Sequence, residues 1–562
     1  MLMIQTLMTH LLSRRLLAVG MLLTGLTVRA QPGSDALAPV KLSSDKLPAG
    51  WRWVGSVSAT PDDRTLTARA GTTGLLGGSE PLTLLQTTDD FRLRLELLLP
   101  TGAGVQLTLP NGRNLTIDAT SDVRAALKAP GLWQTLDLWY RAATKGQPAS
   151  VEKMVLNGVT VAEDQRLPDR TSPTGTVAVR ASGGAVALRN PSYQLRSNRA
   201  VVGLTNVRYR LVEGEAATAA EVLSRPALLE GPLPAITHEV AYGQTKRYAL
   251  VYTADLEVPE AGPLTFTVQH GGVAGLQIDG KDVIAPTYAD LGQPQTAAPV
   301  SLSAGKHQLT VFFSRSWPRP GLGVFVAGAG TRPQPLHPLA SLPEPDPVGQ
   351  IAVRAADRPA LLRSFIQLPG EKTKRTHCLS VGTPAGYHYT VDLNQGAWLQ
   401  AWKGDFADVT EMWHERGEPQ LLKPLGAVVR LGGPPTLAAL TDARQPWPDS
   451  LDAENDMLYK GWKLGPEGLP TLQYAYRGAT ISDVIVPTAG GLSRTLTVSG
   501  GTGLYARLVA GTDLVEVSRG LYAVDDRSYY VRIDSRARPL VRNNRELLLP
   551  LSNGSVQYTI IW

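Results

Sequence analysis

Cysteine is almost absent from this chain of 562 residues, which contains only Cys378. A single cysteine cannot form an intramolecular disulfide, a CxxCH haem-attachment motif or a cysteine-rich zinc site, so these frameworks are excluded. Two roles stay open for Cys378: a nucleophile assisted by His377 or His388, and a buried structural thiol, which we favour. The sequence predicts no metal and no cofactor.

The chain also has little net charge and no long apolar run beyond its first 30 residues. Its formal charge of +6 falls to +3 without residues 1–30, which contribute three arginines and no acidic residue. A charge this small and scattered does not favour a nucleic-acid partner. No later apolar run is long enough to span a bilayer, which predicts no transmembrane segment after processing.

Residues 1–30 have the order typical of a cleavable secretory signal. A basic pair, Arg14-Arg15, precedes the apolar stretch 16–28, and Ala30 lies at the usual cleavage position. The apolar stretch is too short for a stable membrane helix. We therefore expect a mature chain that begins near Gln31 and a periplasmic or secreted protein.

Glycine and proline are abundant, with 55 and 42 residues, whereas long helical patterns are scarce. Segment 91–99 alternates apolar and polar residues as a half-buried strand does, and similar short segments recur between turn residues. The pattern predicts an all-β fold, and the length exceeds what one core supports. We expect three domains and one linker: 47–196, 206–328, a Pro-rich linker at 332–350, and 351–562.

The first predicted domain resembles the DUF1080, or 3-keto-disaccharide hydrolase, family. The matching segments are 90–96, 104–105, 131–136, 156–159, 175–180 and 186–191. The resemblance implies a concanavalin-like jelly roll and a glycoside hydrolase activity. Where the family usually has an acidic residue this chain has Asn114, so Asp118 is the remaining candidate catalytic acid. Glycoside cleavage generally needs two carboxyl groups, so we expect little or no activity and favour a solvated carboxylate at a strand end.

The second predicted domain resembles the PA14 family. The matching segments are 208–214, 252–258, 262–268, 275–284 and 302–311. The resemblance implies a β-sandwich of the kind found in carbohydrate-active and adhesive proteins. Segment 269–272 replaces the acidic loop of calcium-binding members, so no metal is expected there. Asp279 and Asp282 are expected to stabilise a turn.

The third predicted domain, a β-rich region, carries an unusual cluster of tryptophans and charges between residues 386 and 417. Flat aromatic faces beside carboxylates and an arginine suit a sugar, which has apolar C–H faces and hydroxyl edges. A packing cluster with solvated charges would have the same composition, and both interpretations stay open. The candidate carbohydrate-binding residues are Trp398, Trp402, Asp405, Asp408, Glu411, Trp413 and Arg416.

Segment 375–426 resembles a C-terminal region of multidomain bacterial proteins that also carry c-type haem or quinoprotein sugar-dehydrogenase modules. The resemblance implies a periplasmic sugar dehydrogenase or a cytochrome as partner, because this chain contains neither module. Three functions therefore stay open. We favour an exported carbohydrate-binding or scaffold protein over a 3-keto-disaccharide hydrolase and over an accessory subunit of a periplasmic sugar-oxidising system.

Overall fold

The fold is all-β and built from several sheets. The computed structural model describes residues 37–144, 147–168, 175–315, 320–343, 349–413, 420–534, 537–551 and 553–562. Every pair of neighbouring strands in the described sheets is antiparallel. None of the described helices is both long and apolar enough to cross a membrane. The predicted signal segment lies outside the described residues.

The first group of strands, here the first module, forms two sheets that enclose a core. The larger sheet has the order β12-β11-β10-β7-β14-β5-β2, with β1 on β14, and the smaller has the order β6-β13-β8-β9. Strands β3 and β4 form a separate two-stranded sheet. Two 3-10 helices cover residues Ser44–Lys46 and Asp122–Ala126. The strands are β1 Ala38–Pro39, β2 Arg52–Val54, β3 Val57–Ser58, β4 Thr67–Ala68, β5 Gly74–Gly77, β6 Leu82–Gln86, β7 Phe91–Leu98, β8 Gly104–Thr108, β9 Asn114–Ile117, β10 Trp133–Arg141, β11 Ser150–Leu156, β12 Val159–Arg166, β13 Thr176–Ser182 and β14 Val186–Leu195.

Alternation along β7 explains how these sheets pack. Leu93, Leu95 and Leu97 point to one face and are fully buried against residues of the smaller sheet, such as Leu107 and Val179. The polar residues between them face the other side, as the two-residue period of a strand requires. This is the sandwich arrangement that the alternating sequence predicts.

The second module is also a pair of sheets around one core. The sheets have the orders β16-β15-β17-β23-β19-β20 and β21-β18-β24-β25, with β22 on β18. A short helix α1 covers Ala219–Ser224, and 3-10 helices cover His238–Ala241 and Leu339–Ser341. The strands are β15 Gly203–Glu213, β16 Leu229–Pro232, β17 Tyr248–Val258, β18 Gly262–His270, β19 Gly272–Ile278, β20 Lys281–Ala289, β21 Gln295–Thr296, β22 Val300–Leu302, β23 Gly305–Arg315, β24 Leu322–Ala327 and β25 Gln334–Pro335.

Part of the predicted Pro-rich linker is packed onto this second module. Strand β25 pairs with β24, and Leu336 is buried in the core of the module. The hydroxyl of Ser341 donates to the Leu322 carbonyl at 2.6 Å. Proline is tolerated in β25 because this strand lies at the edge of its sheet. The prediction of a separating linker is therefore wrong for residues 334–341.

The third module contains three sheets that share one large core. Their orders are β26-β30-β29-β28-β27 with β31 on β30, β32-β37-β42-β41, and β33-β34-β35-β36-β43-β40-β39-β38. A short helix α2 covers Thr410–Trp413. The strands are β26 Ala352–Val353, β27 Ala360–Ile366, β28 Arg375–Gly382, β29 Tyr387–Asp392, β30 Ala397–Asp408, β31 Lys423–Arg430, β32 Leu437–Ala439, β33 Met457–Leu464, β34 Pro470–Tyr476, β35 Ala479–Thr488, β36 Gly491–Ser499, β37 Leu504–Ala510, β38 Leu514–Ser518, β39 Leu521–Val524, β40 Tyr529–Ile533, β41 Leu540–Arg542, β42 Glu546–Leu551 and β43 Gly554–Ile561.

Candidate functional site

The tryptophan cluster of the third module does not form one exposed platform. Trp398 and Trp402 lie in strand β30 and are 4% and 0% exposed, whereas Trp413 at the end of α2 is 72% exposed. Trp398 lines a cavity of about 30 Å³, which is too small for a sugar ring. The predicted stacking role is therefore wrong for Trp398 and Trp402, because neither indole presents a face to a ligand.

Trp402 holds a bulge in its own strand. Its indole N–H donates to the Phe406 carbonyl at 2.7 Å and to the Asp405 carbonyl at 3.1 Å. The ring stacks on Phe406 with an interplanar angle of 3°. The register of β30 against β31 shifts between Asp405 and Ala407, so the indole satisfies carbonyl groups beside this irregularity.

The charged members of the cluster are spread over different environments. Asp405 is exposed, whereas Asp408 accepts bonds from the backbone N–H and hydroxyl of Thr410 at the start of α2. Glu411 forms an ion pair with Lys423. The remaining candidate, Arg416, lies outside the described residues. Among the candidates that the structure describes, only Trp413 and Asp405 keep the exposure that the sugar hypothesis requires.

Asp118 lies just after β9 and stabilises a turn. Its Oδ1 accepts bonds from the backbone N–H and hydroxyl of Thr120 and from the backbone N–H of Ser121, each at 2.8 Å. The Thr120 hydroxyl bond, with the backbone bonds, lowers the pKa of the Asp118 carboxyl although partial burial opposes the shift. A Cβ on Gly104 would lie 2.5 Å from the Asp118 Cβ, so there is no room for a side chain at position 104 beside Asp118. A carboxyl group that stays ionised is unsuited to donate a proton as a general acid.

Cys378 is a buried thiol, as favoured above. It is fully buried in β28, and burial raises the pKa of its thiol, which disfavours the reactive thiolate. His388 is buried as well, with Nδ1 accepting from the Thr383 N–H at 3.1 Å and Nε2 donating to the Gly404 carbonyl at 2.9 Å. Both ring nitrogens are thus engaged in backbone bonds rather than directed at a nucleophile.

Asp279 and Asp282 of the second module stabilise local structure. Asp279 accepts from the Gln308 backbone N–H at 2.8 Å and pairs with His307 at 2.7 Å, while Asp282 accepts from the Gln277 amide. Across the part of the chain that the structure describes, no group of three or more His, Cys, Asp or Glu residues is arranged to hold a metal ion.

A cleft of about 850 Å³ separates the first module from the third. One wall comes from residues around β3 and β4 and from Trp133 and Arg189, and the other from β38, β39 and the turn after β39. This volume is within the range of about 300–1,000 Å³ that is typical of ligand sites. Four carboxylates and three arginines line it: Asp63, Asp513, Glu516, Asp526, Arg69, Arg189 and Arg527.

Arg189 links the two walls of the cleft. Its guanidinium carbon lies 3.9 Å above the centre of the Trp133 ring. The same guanidinium pairs with Glu96 at 2.7 Å and, across the cleft, with Asp526 at 2.6 Å. A planar cation held by a ring and two carboxylates has little freedom left, so Arg189 is a rigid part of the floor.

The turn after β39 docks on the first module in an unusual backbone conformation. Asp525, Asp526 and Arg527 all have left-handed φ angles, of 49°, 52° and 64°. The Arg527 guanidinium donates to the Ala59 carbonyl at 2.6 Å, and the Tyr530 hydroxyl donates to the same oxygen at 2.9 Å. Left-handed conformations are costly for residues other than glycine, and these contacts hold the turn in place.

Two charged side chains that line the cleft have no partner in the described part of the chain. Within the described residues, the side chains of Arg69 and Asp513 form no hydrogen bond or ion pair, and both are exposed. Val515 adds an apolar surface beside them and is 49% exposed. Arg69 belongs to the first module and Asp513 to the third. The cleft therefore offers a forked donor, an acceptor and an apolar contact from two modules.

Sequence reasoning identified neither wall of this cleft as a site. Trp133 and Arg189 belong to the segments that carry the first resemblance, but nothing in their spacing predicts contact with the third module. Arg527 and Ala59 are separated by 468 positions. Contacts over such distances have no local periodicity that a sequence pattern could reveal.

Comparisons with known proteins do not assign a family. No family model and no curated protein matches the chain. Among solved structures, a β-glucosidase from Kluyveromyces marxianus in complex with glucose is 14% identical over 22% of this chain and 15% of its own, with a TM-score of 0.18. A GH31 α-xylosidase from Xanthomonas citri is 12% identical over 54% and 32%, with a TM-score of 0.21. An anti-sigma factor domain-containing protein from Clostridium clariflavum is 9% identical over 48% and 84%, with a TM-score of 0.21.

Proposed function

We propose that this chain is an exported carbohydrate-binding protein whose ligand occupies the cleft between the first and third modules. The observation that carries the proposal is the pair of unengaged side chains, Arg69 and Asp513, on opposite modules of a cleft of about 850 Å³. A guanidinium donates to sugar hydroxyls through several N–H groups, and a carboxylate accepts from them. Val515 supplies an apolar contact for a C–H face.

Binding rather than hydrolysis is the better account of the first module. Asp118 is committed to the turn at Thr120 and Ser121, and its lowered pKa keeps it ionised at neutral pH. A glycosidase needs a carboxylic acid that retains its proton near the working pH. Incubation of the chain with 3-keto-disaccharides should give little or no turnover, and Asp118→Asn should not change the rate. Robust turnover that this variant removes would establish the hydrolase instead.

A glycan array followed by calorimetric titration tests the binding proposal. The mature chain should bind at least one neutral oligosaccharide on the array. Arg69→Ala and Asp513→Ala should each weaken the affinity for that glycan by about tenfold, because a hydrogen bond to a charged group contributes about 1.5–3 kcal/mol. Arg208→Ala, at an exposed arginine of β15 in the second module, is the matched control and should leave affinity unchanged.

Two outcomes would overturn this proposal. The array could show no binding, or the affinity could survive both cleft substitutions.

Export is tested separately by mass spectrometry of the protein from its producing cells. The expected chain begins near Gln31, and a full-length cytoplasmic product would contradict export.

A further inference from the structure

A second cavity, of about 520 Å³, lies between the first and third modules and shares no lining residue with the cleft. Its walls are mainly apolar. Leu99, Pro100, Leu127 and Pro130 come from the first module, and Trp562 comes from the third. Tyr387 packs edge-on against Trp562 at 5.5 Å and completes the aromatic side. An apolar space of this size suits the body of a small organic molecule.

Two lysines line this apolar space, one from each module. Lys128 precedes β10, and Lys403 lies within β30; both are half-buried. Among the described residues, neither ammonium group has a hydrogen bond or an ion pair. Burial lowers the pKa of both side chains, and for Lys128 the nearby charge of Glu96 opposes the shift only in part.

The backbone around both lysines is held in place. Gln134 accepts from the Lys128 N–H at 2.8 Å and donates to the Lys128 carbonyl at 3.3 Å. Lys403 pairs in register with Tyr387 of β29 and with Ala427 of β31. The Gln134 amide is uncharged and bonds to these backbone groups and to the Asn157 side chain, so it gives neither lysine a counter-charge. Within the described part of the chain, no acidic side chain lines the cavity, and Arg124 adds a third cation to its lining. Glu96, whose charge acts on Lys128, is itself paired with Arg189.

We propose that this cavity binds a small organic carboxylate with an apolar body, its carboxylate on the ammonium groups of Lys128 and Lys403. A half-buried cation is stabilised by an opposite charge. The attraction between the ligand's carboxylate and the ammonium groups is stronger where water is partly excluded. The apolar walls favour a ligand with a hydrocarbon or ring portion over a bare inorganic anion. This site is separate from the proposed carbohydrate cleft, so either can fail without the other.

Octanoate is a suitable probe, with octan-1-ol and acetate as comparisons. Calorimetric titration of the full mature chain should show octanoate binding at one site. Octan-1-ol has the same apolar tail without the charge and should bind at least tenfold more weakly. Acetate has the charge without the tail and should show no saturable binding. Octanoate affinity should also fall at alkaline pH, because the two lysines lose their charge. The fall should begin at a lower pH than for an ordinary lysine, because the pKa values of Lys128 and Lys403 are lowered.

Methionine substitutions keep the length of the side chain and remove its charge. Lys128→Met and Lys403→Met should each weaken octanoate binding about tenfold and reduce the preference for octanoate over octan-1-ol. Lys463→Met, at an exposed lysine of β33, is the matched control and should change neither value.

A measurement on the unmodified protein covers the case in which a variant does not fold. Acetic anhydride labelling, read by mass spectrometry, should acetylate Lys128 and Lys403 more slowly when octanoate is present. Lys463 should react at the same rate with and without octanoate. No saturable octanoate binding, equal affinity for octan-1-ol, or unprotected Lys128 and Lys403 would each overturn the proposal.

Discussion

At the scale of single residues, two tryptophans of segment 386–417 have opposite environments. Trp402 is enclosed by Phe406 and His388 and bonds to backbone carbonyls, whereas Trp413 is mostly exposed. The composition of the segment predicted a shared aromatic surface. Composition shows which residue types are present but not which side chains are buried. In β30 the residues from 397 to 402 are all buried, so both faces are covered and alternation gives no signal of exposure.

This difference gives the first prediction. Trp402→Ala should lower the free energy of unfolding by about 3–5 kcal/mol, because it leaves a cavity and frees bulge carbonyls. Trp402→Phe keeps one aromatic ring but loses the N–H and part of the buried ring volume, so a smaller loss of about 1–3 kcal/mol is expected. Trp413→Ala is the control and should change stability by about 0.5 kcal/mol or less. Urea unfolding measures all three, and equal losses for Trp402→Ala and Trp413→Ala would contradict the burial assignment.

Asp118 gives a prediction with a defined pH dependence. Its pKa is lowered in the folded state, so the ionised carboxylate stabilises the fold above the unfolded pKa of about 3.9. That contribution is lost as pH falls through the lower folded pKa. Asp118→Ala should therefore cost about 0.5–2 kcal/mol at pH 7, as for loss of a capping side chain, and less at pH 3. Urea unfolding at both pH values checks this, and a cost that grows at pH 3 would contradict it.

At the scale of elements, alternation predicted strands well wherever one face is buried. Segment 91–99, predicted as a strand from its alternation, corresponds to β7 Phe91–Leu98. The short strand β25 was missed because prolines and polar residues around it indicate an irregular linker. Edge strands tolerate such residues since only one side needs backbone partners. Its pairing depends on the tertiary position of β24, which no local pattern contains.

Gln334 in β25 gives the prediction for this element. Its amide oxygen accepts from the backbone N–H groups of Val201 and Val202 at 2.8 and 3.2 Å, and its nitrogen donates to the Val202 carbonyl at 2.8 Å. Gln334→Ala should cost about 1–3 kcal/mol, because partly buried backbone groups lose their partners. Gln308→Ala, at an exposed glutamine of β23, is the control and should be nearly neutral. If thermal unfolding gives the same stability for Gln334→Ala and Gln308→Ala, the Gln334 side-chain bonds do not contribute to stability.

At the scale of the whole molecule, side chains join modules that are distant in sequence. Arg527 and Tyr530 attach the third module to Ala59 of the first, and Leu132 of the first module is buried in the third module's core. The sequence predicted β-rich regions but could not predict these contacts or the two cavities between modules. Each contact depends on the relative placement of complete sandwiches, and neither strand periodicity nor turn composition encodes that placement.

Arg332, between β24 and β25, connects the second module to the first. Its guanidinium pairs with Asp90 at 2.5 Å and with Glu152 at 2.6 Å, both in the first module. Asp90 is 2% exposed and also accepts from the Ala142 N–H at 2.7 Å. Without Arg332, the buried Asp90 carboxylate would lose its ion pair and keep the bond from the Ala142 N–H, while Glu152 would still pair with Arg141. A buried charge that loses its partner is strongly destabilising.

Arg332→Met should therefore lower the stability of the first module by about 2–5 kcal/mol, the range for truncating one member of a buried charge pair. Arg166→Met, at an exposed arginine at the end of β12, is the matched control and should have little effect. Adding Asp90→Asn to Arg332→Met should recover part of the loss, because it removes the unpaired charge. Calorimetry of the single and double variants measures the coupling. If the effects of Arg332→Met and Asp90→Asn simply add, the two residues do not interact across the module boundary, and the modules are held together by other contacts.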